Sequence, residues 1–535
     1  MRKASSTSLL RIFALTTVAL AASGATGGER APVVATRDGR VRGISSGGIE
    51  RFLGIPYAAP PVGELRWRPP QPHRHWTGVR EATAFANHCP QNPSPFGLAS
   101  TTEDCLYLNV FRPARDHDDD EGADEEGGDG REERLPVMVW IHGGALLVGE
   151  SDDYDPVRLV PHGVVVVTIN YRLGVLGFLA HPALSAESPV QASGNYGVMD
   201  QQAALRWLER NIASFGGDPR RVTIFGESAG GLSVHSHLAS PLSAGLFHRA
   251  IVQSGAYALG QPSLSEAEAQ GQGVAMRAGC TDQTAECLRA VPVETLLGAL
   301  TTASVVPDVD GYVLTQTIGA SLASGEFNRV PVIEGSNHDE WRLFVALNID
   351  LVIGPLTPEQ YTGAIAATLG VPLSTAEFLA SFYPVENYPS TDLALSALGT
   401  DAIFACNSRK AVRLLAQYVP TYAYEFGDED APQLFLPPVS FPYGSAHASE
   451  IQYLFNVRAT VKAPELTAEQ RRLSQAMIAY WTNFARTGSP NWFRTPLWPA
   501  YDGARDAMLS LAPPSPALET GFAADHKCSL WTPTP

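Results

Sequence analysis

A serine in a tight, glycine-rich turn is the side chain of this sequence best placed to do chemistry. Ser228 lies in Gly-Glu-Ser-Ala-Gly-Gly, residues 226–231, which contains the pattern G-x-S-x-G. The β-branched and aromatic run 221–225 predicts a buried strand before it, and residues 233–238 can continue as a helix after it. Strand, sharp turn and helix in this order form a nucleophile elbow, whose glycines leave room for a strained serine. The pattern predicts a nucleophilic Ser228; the alternative is a chance match in a chain with 48 glycines.

A serine hydroxyl needs a general base within hydrogen-bond reach, and this base needs a carboxylate that orients it. Where the serine sits in an elbow, the acid and then the histidine follow it along the chain. Two downstream loops carry such residues: Gly-Ser-Asn-His-Asp-Glu (335–340) and Gly-Ser-Ala-His (444–447). On these residues alone, His338 competes with His447 for the role of the base. Asp339 likewise competes with Glu340 for the role of the acid.

The elements that must position these groups are strands that alternate with helices. Strand-like runs occupy residues 33–41, 51–55, 106–111, 135–142, 163–170, 221–225, 250–253, 330–334 and 421–426. Helical spacing over residues 201–212 places Leu205, Leu208 and Ile212 on one side. Alternating strands and helices predict a parallel sheet with crossover helices.

The composition is that of an ordinary globular protein and argues against a nucleic-acid partner. The 535 residues are 44% hydrophobic and 17% charged, with a formal net charge of −17. Binding to phosphates requires a surface rich in Lys and Arg, which this balance does not favour. Residues 115–134 hold eleven Asp/Glu and three Arg, about half of the net charge. We expect this stretch to be a solvated loop insertion in a single domain spanning 26–535, because it lacks apolar residues to bury; an EF-hand fails at Glu121, where glycine is needed.

The N-terminus resembles an export signal. Arg2, Lys3 and Arg11 are basic, residues 12–22 are mostly apolar, and small residues follow. We expect a signal peptide over about residues 1–25 and a secreted or periplasmic protein without a stable membrane anchor; an uncleaved anchor is the alternative. Six cysteines in an exported chain favour three disulfides, which the sequence allows in fifteen pairings. The absence of a C-x-x-C motif argues against a zinc or redox site.

Several motifs, in the same order along the chain, resemble those of the type-B carboxylesterases, the family that also contains cholinesterases and some fungal lipases. The matching stretches are residues 52–58, 103–109, 170–172, 194–197, 215–219, 226–231 and 498–501. The resemblance covers nearly the whole mature chain and points to a carboxylesterase of the bacterial type. It implies the α/β-hydrolase fold, with a central, mostly parallel, twisted sheet flanked by helices.

The resemblance also implies roles for individual residues. Ser228 would be the nucleophile that forms the acyl-enzyme, Glu340 the acid and His447 the base, so that His338 becomes a solvated loop residue and Asp339 a structural or surface acid. The backbone N–H groups of the oxyanion hole would come from three residues, Gly144, Ala145 and Ala229. Ala145 replaces the family's third glycine, and Leu146 replaces a frequent aromatic residue in what we expect to be the pocket wall.

By the same resemblance, the disulfides would be Cys89–Cys105, Cys280–Cys287 and Cys406–Cys528. The loop closed by the first of these would lie over the active-site gorge. It has no tryptophan to bind a choline cation, so we expect no preference for choline esters.

The sequence therefore predicts a serine hydrolase that cleaves carboxylic esters through an acyl-enzyme with a Ser-Glu-His triad. We expect a small-molecule or lipid-like ester substrate and no metal or organic cofactor. Two alternatives remain on the sequence: a non-catalytic, cholinesterase-like adhesion or interaction protein, and a lipase or amidase that uses the same triad.

Overall fold

The computed structural model describes residues 31–115, 133–300, 305–493 and 495–532. The expected signal peptide lies outside these residues, and so does nearly all of the expected acidic insertion. The strands, in chain order, are β1 (Val33–Ala35), β2 (Arg40–Arg42), β3 (Ile44–Ser46), β4 (Ile49–Pro56), β5 (Val79–Glu81), β6 (Tyr107–Pro113), β7 (Leu135–Ile141), β8 (Tyr154–Asp155), β9 (Val165–Ile169), β10 (Gly217–Glu227), β11 (Arg249–Gln253), β12 (Val332–Asn337), β13 (Thr421–Phe426), β14 (Asn456–Val457), β15 (Met508–Leu511) and β16 (Ala517–Glu519).

Eleven of the described strands form one large sheet, in the order β16-β15-β13-β12-β11-β10-β7-β9-β6-β4-β3. The seven strands from β15 to β9 pair in parallel, and β16, β6, β4 and β3 pair antiparallel at the two edges. The prediction of a mostly parallel sheet is therefore confirmed. The run at 33–41, predicted as one strand, is instead the two short strands β1 and β2, because the chain turns at Gly39, whose φ is +147°.

The helices complete the α/β pattern. They are α1 (Gly174–Phe178), α2 (Pro182–Glu187), α3 (Tyr196–Asn211), α4 (Ala229–Ala239), α5 (Leu264–Arg277), α6 (Ala285–Ala290), α7 (Val293–Ala299), α8 (Ile318–Ser324), α9 (Arg342–Val345), α10 (Leu351–Ile353), α11 (Tyr361–Leu369), α12 (Leu373–Ala380), α13 (Thr391–Gly399), α14 (Cys406–Leu415), α15 (Ala468–Thr487), α16 (Phe522–Asp525) and α17 (Cys528–Trp531). Their ends follow ordinary capping chemistry. Thr467 and Gln470 form a capping box at the start of α15, and Gly488 ends it in the left-handed conformation.

The alternation of side chains along the strands divides the core into two layers. In β7, Val137, Val139 and Ile141 face the layer that contains α3 and α4, whereas Met138 and Trp140 face the layer that contains α15. Both faces of the parallel strands are therefore buried, as their continuous apolar runs indicate. A third apolar cluster joins helices α9, α11, α12 and α13.

The three disulfides that the resemblance implies are present: Cys89–Cys105, Cys280–Cys287 and Cys406–Cys528. Among the described residues, no single helix is long and apolar enough to cross a bilayer. One pair of helical segments, Pro358–Leu369 and Leu373–Asn387, is long and apolar enough when the two are taken together, but they are bent by 114° relative to each other.

Candidate active site

Ser228 stands in the sharp turn between β10 and α4, at the carboxyl end of the sheet. Its backbone has φ 57° and ψ −121°, a conformation that a side chain adopts only when its surroundings hold it there. The turn can close because the flanking residues lack a side chain: a Cβ on Gly230 would lie 1.9 Å from the carbonyl oxygen of Ile141. The N–H of Ser228 donates to the carbonyl of Gln253 at 2.8 Å, which ties the turn to β11. The structure thus has the strand-turn-helix arrangement that the sequence predicts.

Glu340 and His447 meet in the loops that follow β12 and β13. Nδ1 of His447 lies 2.5 Å from Oε2 of Glu340, and both side chains are buried. The other oxygen of Glu340 accepts a hydrogen bond from the N–H of Asn337 at 2.8 Å. Because β12 and β13 are neighbouring parallel strands, their carboxyl ends bring two loops together that are about a hundred residues apart in sequence.

The His447 ring is held between aromatic side chains, and a second carboxyl group lies beside it. The ring centroids of Phe344 and Phe404 lie 5.0 and 4.9 Å from that of His447. Nε2 of His447 is 3.1 Å from Oε1 of Glu227, the residue directly before Ser228. The imidazole is thus fixed by one carboxylate at Nδ1 and faces another at Nε2.

The surroundings raise the pKa of His447 and also that of Glu227. Burial by itself would lower the pKa of His447, but the charges of Glu227 and Glu340 and the hydrogen bond to Glu340 outweigh it and raise the pKa. Burial is the main reason that the pKa of Glu227 lies well above its usual range. The carboxyl group of Glu227 and the imidazole of His447 therefore compete for a proton.

The competing residues of the acid loop have other partners. Asp339 accepts hydrogen bonds from the N–H and the hydroxyl of Ser445 at 3.1 and 3.2 Å and forms an ion pair with Arg342 at 2.8 Å. His338 is exposed and its Nδ1 faces Asp339 at 3.1 Å. The structure thus brings His447 to Glu340, while Asp339 is a buried acid that joins the two loops.

The turn after β7 presents backbone N–H groups next to the serine. Gly144 has φ +97°, and a Cβ on it would lie 2.1 Å from the carbonyl oxygen of Val148. Ala145 also adopts a positive φ of 57°. Within the part of the chain that the structure describes, neither N–H donates to a protein acceptor. Ala229 is the first residue of α4, where an N–H has no acceptor within the helix.

One expectation about this turn is wrong. Leu146 does not form the wall of the cavity but is buried in the core on the side of α3 and α4, and its carbonyl accepts from the N–H of Gly174. The positive φ values of Ala145 and Leu146 turn the chain, so that the following residues, Leu147 and Val148, line the cavity instead.

Ser228 and His447 open into a cavity of about 320 Å³. Its walls come from four parts of the fold besides the elbow: the loop closed by the Cys89–Cys105 disulfide, the segment from the turn after β7 to β8, the segment that includes α9, and the loops after β13. The apolar lining includes Phe96, Leu147, Leu343, Phe344, Leu347 and Phe435. Acidic groups are present as well, since Glu227 and Asp153 reach the surface of the cavity. The lining is thus mostly apolar, with the polar groups concentrated near Ser228 and Asp153.

Sequence reasoning assigned neither Glu450 nor Glu227 to the site. Glu450 accepts hydrogen bonds from the side-chain amides of Asn337 and Gln253 at 2.8 and 3.0 Å, so it supports the acid loop from behind. Glu227 could have been noticed, because the residue before an elbow serine always lies near it. Glu450 carries no such signal, since its partners belong to other strands.

Side chains with the spacing of metal ligands occur elsewhere. Among the described residues, two groups of histidine and carboxylate side chains have ligand atoms close enough to share an ion: His338, Glu425 and His526, and His88, Glu150 and Asp152. None of these six side chains lines the cavity of Ser228.

A mostly parallel sheet with helices on both faces, an elbow serine at its carboxyl end and a buried His-Glu pair beside it define the class of the protein. It is a serine hydrolase with the α/β-hydrolase fold.

Comparison with known proteins gives the family. The model of the carboxylesterase family matches residues 30–531, so the chain belongs to this family. It is 36% identical to an acylcarnitine hydrolase of Mus musculus, over 95% of this chain and 91% of that protein. It is also 36% identical to a cocaine esterase of Homo sapiens, over 94% and 91% of the two chains. A fumonisin B1 esterase of Sphingopyxis macrogoltabida is 35% identical over 88% and 85%. The chain is a carboxylic ester hydrolase.

Proposed function

We propose that this hydrolase cleaves its esters through an acyl-enzyme formed on Ser228, with His447 as the general base and Glu340 as the acid of the triad. The observation that carries the proposal is the convergence of three chain segments. Ser228 and His447 line one cavity, and Glu340 holds Nδ1 of His447 at 2.5 Å.

The steps follow from this arrangement. His447 accepts the proton of the Ser228 hydroxyl as its oxygen attacks the ester carbonyl, and Glu340 stabilises the imidazolium that forms. The N–H groups of Gly144, Ala145 and Ala229 stabilise the negative charge on the carbonyl oxygen. His447 then donates its proton to the departing alcohol. A water molecule that gives its proton to His447 attacks the acyl-enzyme, and His447 returns this proton to the oxygen of Ser228 as the acid leaves.

We further propose that the substrates are small esters with an apolar acyl or alcohol part. The lining supports this, because aromatic and aliphatic side chains form most of the cavity wall, and none of the described residues that line it is a tryptophan that could bind a choline cation. Several relatives are named for small esters: acylcarnitine, cocaine and fumonisin B1.

We also propose that residues 1–25 direct export, and that residues 26–535 form one hydrolase domain with an acidic insertion at 115–134. Three disulfides support export, because such bonds persist in the oxidising surroundings of a secreted or periplasmic protein.

The test is a series of nitrophenyl esters of increasing acyl length, hydrolysed by the wild type and by Ser228→Ala. We expect kcat/KM to rise with each added methylene until the cavity is full. Burial of one methylene contributes about 0.8 kcal/mol, which corresponds to roughly a fourfold increase per step. The Ser228→Ala variant should lose at least about 10³-fold in kcat, because no acyl-enzyme can form.

The matched control is Ser236→Ala, since Ser236 lies in α4, the helix that follows Ser228, and its hydroxyl donates to the carbonyl of Leu232 in the same helix. It should keep the wild-type rate. Turnover by Ser228→Ala at the wild-type rate would exclude the mechanism. A cognate nitroanilide series, hydrolysed as fast as the esters, would instead identify an amidase.

A further inference from the structure

Three potential metal ligands that the proposed reaction does not use come together behind the acid loop. One ligand atom each of His338, Glu425 and His526 lies within 4.8 Å of the others. Nε2 of His526 is 2.6 Å from Oε1 of Glu425, and the two imidazole rings have centroids 5.3 Å apart. The residues are so far apart in sequence that no motif reveals them.

Each histidine has its other ring nitrogen on a carboxylate. Nδ1 of His338 lies 3.1 Å from Oδ1 of Asp339, and Nδ1 of His526 lies 2.6 Å from Oδ1 of Asp401. A carboxylate that accepts Nδ1–H orients the ring, so that Nε2 can bind a metal ion once any proton on it has left. Both histidines are thus held as metal-ligating histidines are held in proteins.

The backbone around these side chains is anchored. The N–H of His338 donates to the carbonyl of Phe426 at 2.9 Å, directly after Glu425, so both ligands are fixed to the ends of adjacent strands. His526 comes two residues before Cys528, whose disulfide ties this segment to α14. Ligands on rigid elements keep their geometry without a bound ion. The His338 side chain is 43% exposed, which gives an ion a path from solvent.

We propose that His338, Glu425 and His526 form a binding site for Zn²⁺ or a similar divalent transition-metal ion, separate from the catalytic serine. Two imidazoles and one carboxylate are a common ligand set for zinc, and water would complete the tetrahedron on the exposed side. Ligand atoms on a tetrahedral zinc ion lie roughly 3.3 Å apart, so the His526–Glu425 pair has to open by less than about 1 Å. The ion takes the place of the proton between Nε2 and Oε1, and this proton passes to solvent.

The second group of such side chains is a poorer site. His88 is its single histidine, so the other two ligands would both be carboxylates, those of Glu150 and Asp152. The guanidinium of Arg458 lies 2.6 Å from Glu150, so a cation already occupies this carboxylate. A metal ion would have to displace it.

The experiment is a calorimetric titration of the full chain with ZnCl₂ after treatment with a chelator, together with the melting temperature at each ratio. We expect one ion per chain, a melting temperature that rises with zinc, and at least roughly tenfold weaker binding by His338→Ala. This variant should fold, because nearly half of the side chain is exposed to solvent; its melting temperature without zinc checks this. Glu425→Gln serves as a second ligand variant.

His88→Ala is the matched control and should bind zinc as the wild type does. The inference is overturned if the wild type takes up no zinc at millimolar concentration, if His338→Ala binds as tightly as the wild type, or if His88→Ala abolishes binding. None of these readouts depends on ester hydrolysis, so they stand apart from the test of the Ser228 mechanism.

Discussion

Glu340 and Asp339 are neighbours in sequence, but they differ in what their carboxylates hold. Glu340 bonds to the N–H of Asn337 and to Nδ1 of His447, so it points towards the base. Asp339 bonds to Ser445 and Arg342 and thereby joins the acid loop to the histidine loop. One carboxylate is suited to orient the imidazole, whereas the other keeps the two loops together.

These contacts predict different losses for the two amide variants. Glu340→Gln should lower kcat by roughly 10³- to 10⁴-fold with little change in KM, because the amide cannot stabilise the imidazolium and favours the wrong tautomer. Asp339→Asn should keep most of kcat and lower the melting temperature instead, since a charged pair with Arg342 is lost. Steady-state kinetics and calorimetry on both proteins check this. The opposite order of kcat values would make Asp339 the acid.

A pH profile tests the pair of Glu227 and His447. The base must be neutral to accept the proton, so kcat/KM rises with pH through the pKa of His447. The charges of Glu227 and Glu340 and the hydrogen bond to Glu340 raise this pKa despite burial, so the acid limb should lie above the usual histidine range near 6.5. Glu227→Gln removes one of these charges, and we expect its acid limb at lower pH.

The control for this profile is Glu519→Gln, an exposed residue on the edge strand β16, which should leave the limb in place. A limb that stays at the wild-type position in Glu227→Gln would show that Glu227 carries no charge while the base titrates.

At the scale of elements, the turn after β7 combines positive φ values with close backbone contacts. Gly144 must be glycine on two grounds, its φ of +97° and the nearby carbonyl of Val148. Ala145, at φ 57°, is modestly strained because it carries a Cβ. The sequence shows the Gly-Gly-Ala pattern, but not where the chain goes afterwards, which is why Leu146 was wrongly expected in the cavity wall.

Two substitutions in this turn should differ in their effect on kcat. Gly144→Ala should lower kcat by about 10²- to 10³-fold, since the displaced N–H no longer stabilises the oxyanion, a loss of roughly 3 kcal/mol. Ala145→Gly relieves strain and keeps its N–H, so we expect nearly wild-type kcat. The initial burst of nitrophenol, which reports the acylation of Ser228, measures the rate of each variant. Equal rates in the two variants would exclude the N–H of Gly144 from the oxyanion hole.

At the scale of the whole molecule, the disulfides close loops of very different length. Cys406 and Cys528 are separated by 122 positions and join α14 to the C-terminal segment, whereas Cys280 and Cys287 are separated by 7. A crosslink reduces the entropy of the unfolded chain more when its loop is longer.

Replacing each pair by serines should therefore cost unequal stability. The Cys406→Ser/Cys528→Ser double variant should lose about 2.5 kcal/mol more free energy of unfolding than Cys280→Ser/Cys287→Ser, by the loop-length estimate. Urea unfolding under non-reducing conditions measures the difference. A larger loss at the short loop would mean that local packing, and not chain entropy, dominates.

Features that depend on neighbouring residues can be predicted from the sequence. The elbow around Ser228 can be predicted because strand, glycine turn and helix follow one another along the chain. The buried strands can be predicted because both faces of a parallel strand must be apolar, as in Val165–Ile169. For these reasons most strands of the large sheet begin and end within a few residues of the predicted bounds, and the α/β architecture follows from their alternation with helices.

The tertiary structure alone decided which distant side chains meet. The pairing of β12 with β13 brings Glu340 to His447, and from the residues alone His338 and Asp339 were equal candidates. The same strand register places Glu425 beside His338, a contact that no local pattern encodes. A side chain's neighbours across a sheet depend on strand order and register, which the whole fold sets through burial of both faces of the sheet.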